Sequence, residues 1–221
     1  MLDARVRDRY ADLAASDSFA IDPHKWLAAP VGTRAAIMRD AGILSRAFEI
    51  ETGAYDRERQ VPVGTRDTGS PCDELGQGTP DFGVDFSMPA RGLAVCTFLR
   101  EIGSDGVRER LVRHDDCARR VAERARASAE LELLAEPVLS ICCFRYRPAG
   151  WTNEMRLDAF NDAVLHAARA RGRTVASSTR VGGRLSIRPC FINPRTTLAD
   201  ADAPVDEVLA AGREAVTSGA I

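Results

Sequence analysis

Lys25 is the residue with the clearest chemical potential. It is the sole lysine among 221 residues, and the other 29 of the 30 lysine and arginine residues are arginines. A lysine does covalent work by adding its neutral amine to a carbonyl, giving a Schiff base. That requires burial or a neighbouring charge to help the amine shed its proton. Arginine replaces lysine as a surface charge but never deprotonates. In an arginine-biased chain, a surviving lysine marks a place where the exchange fails. Its setting is Asp22-Pro23-His24-Lys25-Trp26, directly after the short apolar run "SFAI". A solvated surface lysine is the plain alternative.

The elements that would carry this site follow from periodicity and punctuation. "SFAI" reads as a strand, and Pro23 blocks helix continuation, so Lys25 falls at a strand end. The residues before it, 3 to 15, read as a short helix. "RAAIMRD" reads as a second strand or a short helix. From Glu49 to Asp85 the hydrophobic period dissolves into Gly, Pro, Asp and Thr, the composition of a long lid-like or disordered loop. "GLAVCTFLREIG" is apolar nearly all round until Arg100, which predicts a buried helix. Gly103 ends it, and a long amphipathic helix follows, with Val107, Leu111, Cys117 and Val121 as a loose stripe.

The last third changes period repeatedly. "LELLAEPVLSICCFRYRP" reads as two short strands around Pro137. "NEMRLDAFNDAVLHAARARG" reads as a helix capped by Thr152 or Asn153 and ended by Gly172. "RTVASSTRVGGRLSIRPCF" reads as two strands across Gly182-Gly183. A closing helix follows, with Thr197 as cap and Pro204 in its first turn. The order β-β-α-β-β-α over residues 131 to 218 predicts a sheet with helices on one face.

Composition narrows the function classes. The formal net charge is −2, with arginines interleaved among acids, so neither nucleic acid nor an anionic membrane is expected as a partner. No stretch approaches the roughly 20 apolar residues of a membrane span, and the charged N-terminus lacks the apolar region of a signal peptide. Cys72, Cys96, Cys117, Cys142, Cys143 and Cys190 form no C-x-x-C pair. Reduced cysteines in a cytoplasmic protein are expected, not a zinc site or a disulfide framework.

"DSFAIDPHKWL" closely resembles the lysine motif of the group II pyridoxal-phosphate-dependent amino-acid decarboxylases. "DFSMPARGLAVCTFLREIG" and "GRLSIRPCFINPRTT" are similar to later segments of that family. The resemblance implies an α/β fold: the C-terminal part of a large domain of the aspartate-aminotransferase type (fold type I), plus a small α+β C-terminal domain. It divides the chain into residues 1–48, closing the cofactor domain with the Schiff-base lysine, 49–86, a lid-like loop, and 87–221, connecting helices and the small domain.

The same resemblance assigns roles. Lys25 would hold pyridoxal 5'-phosphate, and His24 would lie beside its phosphate. Asp22 stands where many members have an Asn that helps with the phosphate. Arg188 matches the arginine that reaches the substrate carboxylate in glutamate decarboxylases. A solvent-facing strand arginine is the other reading of that residue. Tyr55 would correspond to the loop tyrosine that protonates the substrate carbon after carbon dioxide leaves. The expected substrate is an L-amino acid, aromatic as first choice, and the expected assembly is a homodimer. The family's pyridine-binding Asp and phosphate cup precede the lysine motif by more than this sequence contains. The chain is therefore expected to be a C-terminal portion that alone binds cofactor weakly. A non-catalytic remnant or dimerisation module, and an aldehyde-forming synthase on the same scaffold, are the alternatives.

Overall fold

The computed structural model describes residues 4–5, 7–40, 42–48 and 89–219. A 3-10 helix over Arg7–Ala15 leads into strands β1 (Ser18–Ile21) and β2 (Ala35–Met38). These pair antiparallel, Ser18 opposite Met38 and Ile21 opposite Ala35. "RAAIMRD" is thus a strand. Arg39 fastens the hairpin to what precedes it: its backbone N–H donates to Asp17 O at 2.8 Å and its guanidinium to Ala14 O at 2.5 Å. Helix α1 (Gly42–Phe48) follows, with Asp40 accepting the Gly42 N–H at 2.9 Å.

Helix α2 spans Arg91–Ala127 and breaks where expected, at Gly103, whose φ of 65° lies in the left-handed region that glycine tolerates. Its two halves differ. Val107, Leu111, His114, Cys117, Ala118, Val121, Ala122 and Ala125 are buried, whereas Leu93 is 67% exposed. The buried helix expected from residues 92–102 is therefore corrected: Val95, Phe98, Leu99 and Ile102 are half-buried and none of its residues is fully buried, because apolar character alone does not supply a covering surface.

Strands β3 (Leu131–Val138), β4 (Ile141–Tyr146), β5 (Ser177–Val181) and β6 (Arg184–Arg188) form one antiparallel sheet in the order β3-β4-β6-β5. The expected break at Pro137 is also corrected. Pro137 lies inside edge strand β3, where its missing N–H is tolerated, and the register shifts on either side of Ala135 absorb it. The chain reverses instead at Leu139, whose φ is 53°, and at Ser140. The β5–β6 turn is as expected, with Gly182 and Gly183 both at positive φ, the requirement of a tight hairpin turn of the primed type.

Helices α3 (Glu154–Ala170), between β4 and β5, and α4 (Ala203–Ser218), entered through a 3-10 turn at Asp200–Asp202, complete the domain. Asn153 caps α3 by accepting the Arg156 N–H at 3.0 Å. Thr197 serves the 3-10 turn that precedes α4, and Pro204 sits in the first turn of α4. Cys142, Phe144 and Ile187 from one sheet face join Cys117, Val121, Phe160, Val164, Val205 and Val208 in a single core. The β-β-α-β-β-α order and the helices packed against that face match the expectation for residues 131 to 218. Among the described residues no helix is long and apolar enough to cross a membrane.

Candidate functional site

The turn after β1 is built by proline and by local hydrogen bonds. Pro23 is buried and lies two residues past the end of β1, beyond the last β1–β2 pair. The Lys25 N–H donates to Asp22 O at 3.0 Å, the Ala28 N–H to Lys25 O at 3.2 Å and the Ala29 N–H to Pro23 O at 3.1 Å. Ala28 is held at φ 52°, a conformation that costs a non-glycine residue roughly 1 kcal/mol and persists only where the surroundings enforce it. Thr33 is buried, with its N–H and hydroxyl donating to Pro30 O at 3.1 and 2.7 Å. His24 Nδ1 lies 2.8 Å from Thr33 O. A carbonyl oxygen only accepts, so Nδ1 carries the proton and donates.

Within this turn Lys25 and Asp22 meet. Lys25 Nζ is 2.7 Å from Asp22 Oδ2, and Arg34 Nε lies 3.9 Å from Oδ1. The hydrogen bond from Lys25, then the charges of Lys25, His24 and Arg34, hold the Asp22 carboxyl below the usual carboxylate range against an opposing contribution from partial burial. The lysine side chain is 59% exposed. The described residues therefore do not bury it; they offer it to the surface beside a carboxylate.

Trp26 points the other way. Its indole N–H donates to Ser140 Oγ at 3.1 Å, tying the lysine turn to the β3–β4 reversal. Ser140 O in turn accepts the Phe191 N–H at 3.0 Å, and Ile141 bridges Cys190. That segment directly continues β6, which ends at Arg188. Arg188 is half-buried, and its Nε donates to Ser177 Oγ at 3.3 Å. No carboxylate among the described residues pairs with it. Neighbouring Ser186 is buried and donates to Phe144 O at 3.3 Å.

Lys25, His24 and Asp22 are thus gathered in one turn, and Arg188 lies on the strand whose continuation touches the residue that holds Trp26. Tyr55 falls outside the described residues. Thr33, Arg34 and Ser140 were not singled out from the sequence: Thr33 and Ser140 act through hydrogen bonds whose partners lie 9 and 114 positions away. Among the described residues no three His, Cys, Asp or Glu side chains gather as a metal site, and Cys96, Cys117, Cys142, Cys143 and Cys190 are free thiols.

The family signature described as "Pyridoxal-dependent decarboxylase conserved domain" matches residues 2–147. The aromatic-L-amino-acid decarboxylase of Bacillus atrophaeus is 26% identical over 183 residues, covering 82% of this chain and 36% of that protein. The L-2,4-diaminobutyrate decarboxylase of Acinetobacter baumannii is 26% identical over 210 residues, covering 92% and 38%. The crystal structure of Oryza sativa TDC with PLP and tryptamine superposes with a TM-score of 0.78 at 19% identity, covering 95% of this chain and 41% of that one. The fold is shared, and the chain spans about two fifths of the length of these proteins.

Proposed function

The chain belongs to the pyridoxal-dependent decarboxylase family, and on that premise we propose that it serves the pyridoxal-phosphate-dependent decarboxylation of an L-amino acid, with Lys25 carrying the cofactor. The observation that carries this reading is Lys25 itself: the sole lysine, in a hydrogen-bonded turn behind a buried proline, with its amine presented at the surface.

The residues present fit the cofactor. An amine that adds to an aldehyde must be reachable, and Lys25 is more than half exposed. When bound, pyridoxal 5'-phosphate supplies that aldehyde and a ring that withdraws electrons from the substrate. His24 has Nδ1 committed to Thr33 O. It meets a phosphate oxygen through Nε2 only as the imidazolium, when both ring nitrogens donate. Asp22 holds the Lys25 nitrogen until the cofactor aldehyde arrives and does not touch phosphate, because a carboxylate beside a phosphate repels it.

In this reading Arg188 takes the substrate carboxylate, since a guanidinium forks onto a carboxylate with two N–H donors and Arg188 has only a hydroxyl as side-chain partner. Tyr55 delivers a proton to the substrate carbon that carbon dioxide leaves. The substrate is an aromatic L-amino acid, and the working assembly is a homodimer. Residues 1–48 close the cofactor domain, 49–86 form the lid, and 87–221 hold the connecting helices and the small domain.

The test uses the 221-residue chain. Add pyridoxal phosphate, reduce with borohydride and map the modified residue; then assay carbon dioxide, amine and aldehyde from L-tryptophan, L-tyrosine and L-2,4-diaminobutyrate. A stable adduct on Lys25, lost in Lys25→Ala, with carbon dioxide and amine as products supports the reading. Aldehyde in place of amine turns it to a synthase, and absence of any Lys25 adduct overturns it in favour of a non-catalytic module.

A further inference from the structure

Ser140 sits where the lysine turn and the Arg188 strand converge. It is 2% exposed and belongs to the β3–β4 reversal, immediately after Leu139 at φ 53°. A leucine in the left-handed region is costly and persists only when its surroundings over-determine it. What that conformation secures is the placement of both polar groups of Ser140. Its hydroxyl oxygen accepts the Trp26 indole N–H at 3.1 Å, and its carbonyl accepts the Phe191 N–H at 3.0 Å. Trp26 follows Lys25 directly, and Phe191 lies three residues past Arg188. Next to this, the Cys142 N–H donates to Pro189 O at 3.5 Å, and Ile141 pairs with Cys190.

We propose that Ser140 is a positioning residue: by holding Trp26 through its hydroxyl and the end of β6 through its carbonyl, it fixes the Lys25 turn relative to Arg188. The proposal rests on the function given above for its chemical consequence, but not for the coupling itself. An indole N–H offers one donor and no acceptor, so the bond fixes the direction of the ring. The backbone of Lys25, joined to that ring by one peptide unit, follows it. The Trp26 and Ser140 side chains lie 114 positions apart in sequence, so their bond is a tertiary tie between the turn and the sheet, not a local turn feature.

The test needs one readout without the cofactor and one with it. Hydrogen exchange is followed at the Lys25, Ala28 and Ala29 amides, which are bonded within the turn, and at core amides of α3 such as Ala168. Borohydride trapping of pyridoxal phosphate on Lys25 is timed in parallel, and Trp26 emission is read in a Trp151→Phe background. Ser140→Ala and Trp26→Phe are each expected to speed exchange at the three turn amides by about fivefold, the equivalent of one ordinary hydrogen bond, while Ala168 is unchanged. Each is expected to slow trapping by a similar factor. Ser140→Thr, which keeps the hydroxyl, restores wild-type exchange, trapping and emission. The double variant is no worse than either single one, because both remove the same bond.

Turn exchange in Ser140→Ala at the wild-type rate overturns the proposal. So does a Ser140→Thr variant as impaired as Ser140→Ala, or a double variant whose effects multiply. If the wild-type chain traps no cofactor while the exchange pattern is as expected, the coupling stands and the failure belongs to the proposed function.

Discussion

Asp22 and Lys25 are bound to each other in the turn where the family chemistry is expected, with Oδ2 and Nζ 2.7 Å apart and Arg34 Nε 3.9 Å from the other carboxylate oxygen. The pair is exposed enough to be screened by solvent and salt, so its contribution to folding is small. Its significance is kinetic. An ammonium held by a carboxylate must leave it before its nitrogen can add to an aldehyde. Asp22→Asn is therefore expected to speed trapping of pyridoxal phosphate on Lys25 by about two- to fivefold at low salt, a Coulomb effect at high effective dielectric. The melting temperature should stay unchanged, and the difference from wild type should shrink in high salt. Equal trapping rates at low salt would remove Asp22 from this role.

Arg188 gives a complementary prediction on the substrate side. It lacks an acidic partner among the described residues and is steadied by Ser177 Oγ. Arg188→Gln keeps a hydrogen-bond donor but loses the charge and the fork. In an assay of amino-acid turnover it should raise KM by about tenfold or more, in line with loss of a charge-assisted bond, and leave cofactor trapping at Lys25 intact. A solvent-facing arginine would leave KM unchanged as well.

The sheet that carries Arg188 has a polar seam. Strands β4 and β6 share the Phe144–Ile187 pair, and beyond it α3 completes the bonding. Asn161 Oδ1 accepts the Tyr146 N–H at 2.7 Å while its Nδ2 donates to Tyr146 O at 2.8 Å and Leu157 O at 2.9 Å. Asp158 accepts the Leu185 N–H at 2.7 Å. Asn161 is fully buried. Asn161→Leu keeps the size but orphans both backbone groups of Tyr146, at about 1–3 kcal/mol for each buried group. Urea unfolding should show a loss of roughly 2–6 kcal/mol, the total of those two penalties.

Gly212 in α4 marks where that helix meets the same sheet. A Cβ at this position would overlap the Tyr146 ring, which is itself buried and bonded to Glu130 at 2.7 Å. Alanine normally gains about 1 kcal/mol over glycine in a helix. Here overpacking of about 1–3 kcal/mol offsets or exceeds that. Gly212→Ala is expected to lower the melting temperature, whereas an exposed helical glycine would raise it.

What the sequence disclosed depended on how local each signal was. The end of β1 was legible because Pro23 follows the apolar run "SFAI", and the β5–β6 hairpin because two adjacent glycines meet a backbone requirement. The stripe of α2 looked loose because His114 and the alanines at 118, 122 and 125 fill it, and those residues carry little hydrophobic signal. Pro137 misled because its tolerance depends on β3 being an edge strand, a property of the sheet and not of the segment. The 92–102 helix misled for a related reason: its apolar character is real, but the surface that would cover it is set by tertiary context. Ser140 was invisible, since nothing near it in sequence distinguishes it from any turn serine.

His114 yields the pH dependence of the fold. It is fully buried on α2, and Nε2 donates to Asn193 O at 2.9 Å while Nδ1 has no partner among the described residues. Burial lowers its pKa below the usual histidine value, the Asn193 contact opposes that, and the charges of Arg113 and Arg110 add to the lowering. A histidine with a folded pKa below its unfolded one is stabilised as the neutral ring. The unfolded chain then binds the proton first, so this contribution is complete above about pH 6.5, the ordinary histidine value, and declines as pH falls below it toward the folded pKa. Urea midpoints should therefore be level from pH 8 to 7 and drop between pH 6.5 and 5. In His114→Gln, which retains a donor for Asn193 O but cannot titrate, the midpoint should be lower at pH 7 and that drop should be reduced. An unchanged slope in the variant would assign the acid sensitivity to the carboxylates instead.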